Sequence, residues 1–125
     1  FHIRPRGIGL VIGCNTFPTW NSYSGLFANL VTGNTVIIKP HPKAILPLAI
    51  TVEILRVILK EQGFDPNVVM LAADEAELPI TEKLATHEAI QIIDFTGSSA
   101  YGSRLEKEQL LLLHKITKKQ KEKLI

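Results

Sequence analysis

Lys39 and Pro40 close the run Thr35-Val36-Ile37-Ile38, an uncharged and mostly β-branched stretch that reads as a buried strand. An ammonium is thereby set at the strand's carboxyl end, where ligands bind in open α/β sheets. Two other junctions also place small polar groups after an apolar run. Cys14, Asn15 and Thr16 follow Ile8–Ile12, and Thr96-Gly97-Ser98 follows Ile90–Phe95 and opens a helical stretch. Cys14 is the only cysteine. No partner base is evident for it, so it reads as a structural or incidental thiol rather than a nucleophile.

The elements that must position these groups follow from periodicity and punctuation. Ile8 to Ile12 is a first strand bracketed by Gly7 and Gly13. Trp20 to Thr32 has Trp20, Tyr23, Phe27, Leu30 and Val31 at helical spacing, an aromatic stripe expected to pack into the core, with Gly33 as the stop. After the Lys39 strand comes a loop over residues 41–45, then an apolar helix from Leu46 to Gln62 ending at Gly63. Pro47 fits only in that helix's first turn, and Glu53, Arg56, Lys60 and Glu61 mark its wet face. Phe64-Asp65-Pro66-Asn67 is a turn and Val68 to Leu71 a third strand. An acidic connection, Asp74 to Glu77, precedes a short helix near Leu78 to Thr86. Ile90 to Phe95 is a fourth strand, and the last helix runs through Leu105 and Leu113. The order β-α-β-α-β-α-β-α, without internal repeats, predicts an α/β fold: a Rossmann-like, doubly wound, mostly parallel sheet with helices on both faces.

The bulk properties agree with one such domain. The chain has 125 residues, 46% apolar and 21% charged. A single cysteine excludes an internal disulfide and suits a reducing compartment, so a cytoplasmic location is expected. No charge occurs from Gly7 to Ile38, but polar residues such as Asn15, Asn21, Asn29 and Asn34 divide that run into pieces too short to span a membrane. No signal peptide opens the chain. The net charge of +2 is unevenly spread: residues 114–125 hold five lysines against Glu122, net +4, leaving nine basic against eleven acidic side chains, net −2, elsewhere. That basic tail reads as a solvated end, and no nucleic-acid partner is expected. Neither GxGxxG nor a Walker A sequence is present.

Three segments resemble the aldehyde dehydrogenase superfamily, in its order and near its spacing. They are Pro5-Arg6-Gly7-Ile8 leading to Phe17-Pro18, then Gly33-Asn34-Thr35 to Lys39-Pro40, then Phe95-Thr96-Gly97-Ser98 with Gly102. The Gly-Cys-Asn-Thr-Phe-Pro-Thr-Trp-Asn and Lys-Pro-His-Pro variants look most like the aldehyde dehydrogenases of phenylacetate degradation. The resemblance covers about residues 4–106. It implies that residues 1–113 form part of a dinucleotide-binding domain, with 114–125 as a basic C-terminal tail. The implied activity is oxidation of a small-molecule aldehyde to an acid with NAD or NADP, in a parent enzyme that is a homo-oligomer. Lys39 matches the lysine that hydrogen-bonds the adenosine ribose; spacing alone leaves it as a strand-end lysine reaching for water. Thr96 matches the threonine beside the nicotinamide. Gly97 lets backbone approach closely, and Ser98 matches the serine at a helix N-terminus that favours the pyrophosphate.

Departures from the family pattern carry expectations of their own. Thr16 falls where the oxyanion-stabilising asparagine belongs, and Asn15 stands one place early. Pro42 replaces a glutamate that accepts from the ribose hydroxyls. His41 and Lys43 flank it, so NADP should be tolerated or weakly preferred. The family's catalytic glutamate and cysteine are not found after Ser98, and this chain by itself is expected to be inactive. Two alternatives stand beside this reading: a non-catalytic nucleotide-binding or interaction module, and a fragment of a related acyl-phosphate reductase.

Overall fold

The computed structural model describes residues 2–123, with side chains described as far as Leu112. The expected basic tail, residues 114–125, therefore lies outside the described side chains; α4 carries the backbone as far as Lys123. The elements are β1 (Ile8–Ile12), α1 (Pro18–Val31), β2 (Thr35–Lys39), α2 (Leu46–Glu61), β3 (Val69–Leu71), α3 (Thr81–Ala85), β4 (Ile90–Phe95) and α4 (Ser99–Lys123). A 3₁₀ turn, Pro66–Val68, takes the first residue of the expected third strand. The short helix begins at Thr81 rather than Leu78, because residues 75–78 close a small antiparallel bridge first.

The four strands are parallel, in the order β3-β2-β1-β4. Strand direction and side-chain alternation fix two separate cores. Val11, Val36 and Ile38 face α1 and α2 and pack with Leu26, Leu48 and Val52. Leu10, Ile12 and Ile90 face the other way and pack with Ala85 of α3 and Leu105 of α4. Helices thus cover both faces, as alternation of β and α predicted. The chain runs outward from β1 to β2 and β3, then crosses back to place β4 on β1's free side. That reversal puts the topological switch point between β1 and β4.

The turn that brings β2 beside β1 is specified by Gly33 and Asn34. Gly33 has φ +84°, while Gly33 N donates to Leu30 O (3.1 Å) and Asn34 N to Asn29 O (2.9 Å). This is the two-bond C-terminal cap that favours glycine; Gly63 ends α2 in the same way. The Asn34 side chain accepts from Arg6 N (2.6 Å) and Gly7 N (3.2 Å) and donates to Asn29 Oδ1 (3.2 Å). Buried Asn29 lies against Gly9, where an added Cβ would come within 2.5 Å of its Oδ1. One amide pair therefore fixes the entry to β1, the end of α1 and the start of β2.

Two expectations are corrected. Of the Trp20–Val31 stripe only Leu30 packs against the core: Trp20 is 81% and Val31 80% exposed, and Tyr23 and Phe27 are also exposed, the latter two stacked edge-on with centroids 5.7 Å apart. The residues that α1 buries are Ser22, Gly25, Leu26 and Asn29, one helical face displaced by small side chains that let the helix sit close on the sheet. Arg56 is not on a wet face either. Its guanidinium donates to Pro66 O, Val69 O and Asn67 Oδ1 and so clamps the entry to β3.

Candidate functional site

Register decides which groups meet. Ile12 pairs with Lys39 on one side and Phe95 on the other. The residues after these three strand ends are consequently side by side, and Gly13 N continues the ladder to Lys39 O (2.8 Å). A cleft of about 700 Å³ opens there, within the range of cofactor sites. Its walls include Asn15, Lys39, His41, Lys43, Thr96, Gly97 and Ser98, brought together from three separate loops. Thr16 is not among the described residues that line it.

The first loop is held by its own polar groups. Asn21 Nδ2 donates to Cys14 Sγ (3.1 Å) and to Thr16 O (3.0 Å), and the thiol donates to the same carbonyl. Neither partner is a base, which matches a structural thiol. Phe17, which precedes α1, has φ +51°, a left-handed conformation that costs a bulky residue energy and that surrounding structure must enforce.

Lys39 is buried. Its Nζ lies 2.6 Å from Asp74 Oδ1, with 5% and 2% of the two side chains exposed, and donates to Pro40 O (2.9 Å). Asp74 Oδ2 accepts from Ile80 N (2.9 Å), which ties the β3–α3 connection to the end of β2. Lys39 therefore does not reach for water, the reading that spacing alone left open. Asp74 was legible only as part of an acidic connection, and nothing in its local sequence signals a partner at Lys39. His41 Nδ1 accepts from Lys43 N (3.1 Å), so His41 shapes its turn while Lys43 is exposed.

The third loop is built around a ring. Phe95 packs against Tyr101 with centroids 5.0 Å apart. A Cβ on Gly97 would stand 2.5 Å from Phe95 Cζ, and one on Gly102 would only just touch the ring. Gly97 is thus required by Phe95 itself. Ser98 caps α4: its Oγ accepts from Tyr101 N (3.3 Å) and its carbonyl from Gly102 N (3.0 Å). The helix N-terminus this creates adjoins the cleft, with first-turn N–H groups free of intrahelical partners. Burial, then Glu108, raises the Tyr101 pKa, keeping the phenol at the cleft protonated. No group of His, Cys, Asp and Glu suited to a metal ion occurs among the described residues.

Comparison with known proteins bears on this geometry. The sequence model of the Aldehyde dehydrogenase family matches residues 1–118. The chain is 35% identical over 107 residues to 1-pyrroline-5-carboxylate dehydrogenase of Bacillus subtilis, covering 84% of this chain and 19% of that protein. It is 34% identical over 105 residues to N-succinylglutamate 5-semialdehyde dehydrogenase of Burkholderia cenocepacia, covering 84% and 20%. Among solved structures, an NAD-dependent aldehyde dehydrogenase from Burkholderia multivorans superposes with a TM-score of 0.80 at 62% identity, covering 85% of this chain and 19% of that one. A glyceraldehyde-3-phosphate dehydrogenase from Methanocaldococcus jannaschii, complexed with NADP, gives 0.75 at 27% identity, covering 84% and 23%. The chain spans about a fifth of the length of the curated relatives it matches.

Proposed function

The chain belongs to the aldehyde dehydrogenase family, and from that premise we propose that its cleft binds NAD or NADP as part of an enzyme that oxidises an aldehyde to an acid. The observation that carries this reading is the meeting of the β1, β2 and β4 carboxyl ends, with the start of α4, around one cleft at the switch point. The residues fit a dinucleotide. The α4 N-terminus and Ser98 would hold the pyrophosphate, Lys39 a ribose hydroxyl, and Thr96 the nicotinamide end. When bound, the nicotinamide supplies the hydride acceptor for aldehyde oxidation. Asn15, which lines the cleft, is better placed than Thr16 to donate to a developing oxyanion. His41 and Lys43 at the rim would tolerate a 2′-phosphate.

The exposed apolar residues of α1 and α2 support a homo-oligomeric parent enzyme. Among the described residues no helix is long and apolar enough to cross a membrane; the lone thiol suits a reducing, cytoplasmic setting.

Calorimetric titration with both dinucleotides tests the reading. Ser98→Ala should weaken binding by roughly ten- to hundred-fold, the loss of a charge-assisted hydrogen bond of about 1.5–3 kcal/mol. Incubation with aldehydes should give no turnover, since residues 1–125 supply no recognised nucleophile beside a base. Unchanged affinity in a folded Ser98→Ala chain argues against the site, and turnover that Cys14→Ala abolishes argues against the assignment of Cys14.

A further inference from the structure

Resting on the dinucleotide reading above, we propose that Asp74 sets the cleft's choice between a ribose hydroxyl and a phosphate by neutralising Lys39. The ammonium has three N–H donors. Pro40 O accepts from one of them, and Asp74 Oδ1 stands beside the ammonium as its counter-ion, which leaves N–H groups for a ligand. With the carboxylate 2.6 Å away and both side chains almost wholly buried, the pair has no net charge. A hydroxyl group needs a donor at this place and gains little from a cation. A phosphate gains most from a cation, and here the cation is already matched.

The charge balance of the whole cleft points the same way. Its formally charged lining is Lys39 and Lys43 against Asp74 and Glu75. Asp74 brings a carboxylate to the end of β2 from a different loop. It does so without directly occupying the ligand's place, because Oδ2 is held by Ile80 N (2.9 Å). Asp74 is therefore a positioning residue: it acts on the ligand through Lys39. The contribution of any 2′-phosphate then rests on His41 and Lys43 at the rim.

The test is the ratio of NADP to NAD affinity, measured calorimetrically on the 125-residue chain at low and high salt. Asp74→Asn keeps an oxygen for Ile80 N but removes the charge. It should raise the ratio about ten-fold at low salt, and the gain should shrink on screening. A purely structural role for Asp74 would change both affinities together. An unchanged ratio in a folded Asp74→Asn chain overturns the inference while leaving the dinucleotide reading intact, since the parent chain still binds. Should Asp74→Asn not fold, the double variant Lys39→Met/Asp74→Leu decides. It replaces a neutral pair by apolar groups, and both affinities should fall by the same factor. A selective loss of NADP in it shows Lys39 acting on phosphate as a free cation and overturns the inference. Failure of the parent chain to bind either dinucleotide overturns the dinucleotide reading, and the inference with it.

Discussion

Lys39 Nζ and Asp74 Oδ1 lie 2.6 Å apart beneath the cleft, joining the end of β2 to the connection before α3. A buried pair of this kind is costly to break from one side. Taking one partner away strands the other charge without water, whereas replacing both by apolar groups removes the desolvation cost as well.

For stability, Lys39→Met alone should therefore destabilise the fold by about 3–5 kcal/mol, while Lys39→Met/Asp74→Leu should restore most of that loss. Denaturant unfolding of the parent, the two single variants and the double variant measures the coupling. Additive losses would mean that the two groups do not depend on one another.

Asp94 gives a pH dependence of opposite sense to that of a salt-bridged carboxylate. It lies on β4 against α1, where a Cβ on Gly25 would stand 2.6 Å from its Oδ2, and burial raises its pKa above the ordinary value of 3.8. Folding thus favours the protonated acid. This contribution is fully present below the unfolded pKa and is lost as pH rises through the higher folded value. Asp94→Asn should raise the melting temperature at pH 7, and the gain should diminish as pH falls towards 3.8. A gain that is constant with pH would assign the effect to packing.

Most of this architecture is legible in the sequence, for identifiable reasons. Short apolar runs mark strand ends within a residue, with Gly13 closing β1, Lys39-Pro40 closing β2 and Thr96-Gly97 following β4, and those ends are where the cleft lies. The site's loops follow from the same punctuation. What the sequence hides depends on partners from elsewhere in the chain. Asp74 reads as one of several acidic residues until β2–β3 pairing carries its loop to Lys39. The spacing of Trp20, Tyr23, Phe27 and Val31 shows that they share a side of α1. It does not show whether that side is covered, and the sheet instead takes the face of Ser22, Gly25, Leu26 and Asn29. Gly97 reads as room for a ligand, yet the Phe95 ring already requires it.

Lys43 is exposed at the cleft rim, so its contribution to a 2′-phosphate should be small. Lys43→Ala should reduce NADP affinity by a few-fold, about 1 kcal/mol or less, and leave NAD affinity unchanged. Titrations at two salt concentrations check this, because screening should erase the difference. Equal losses for both dinucleotides would place Lys43 elsewhere on the ligand.

One cleft, at the ends of β1, β2 and β4, is proposed to receive a nicotinamide dinucleotide. The most direct measurement is amide chemical-shift mapping on the isotope-labelled chain as NAD is added. Saturable shifts are expected at Gly13–Asn15, Lys39, His41, Lys43 and Thr96–Ser98, with the exposed face of α1 around Val31 unmoved. Shifts confined to that helix face, or no shift at any of these amides in a folded chain, would contradict the proposal.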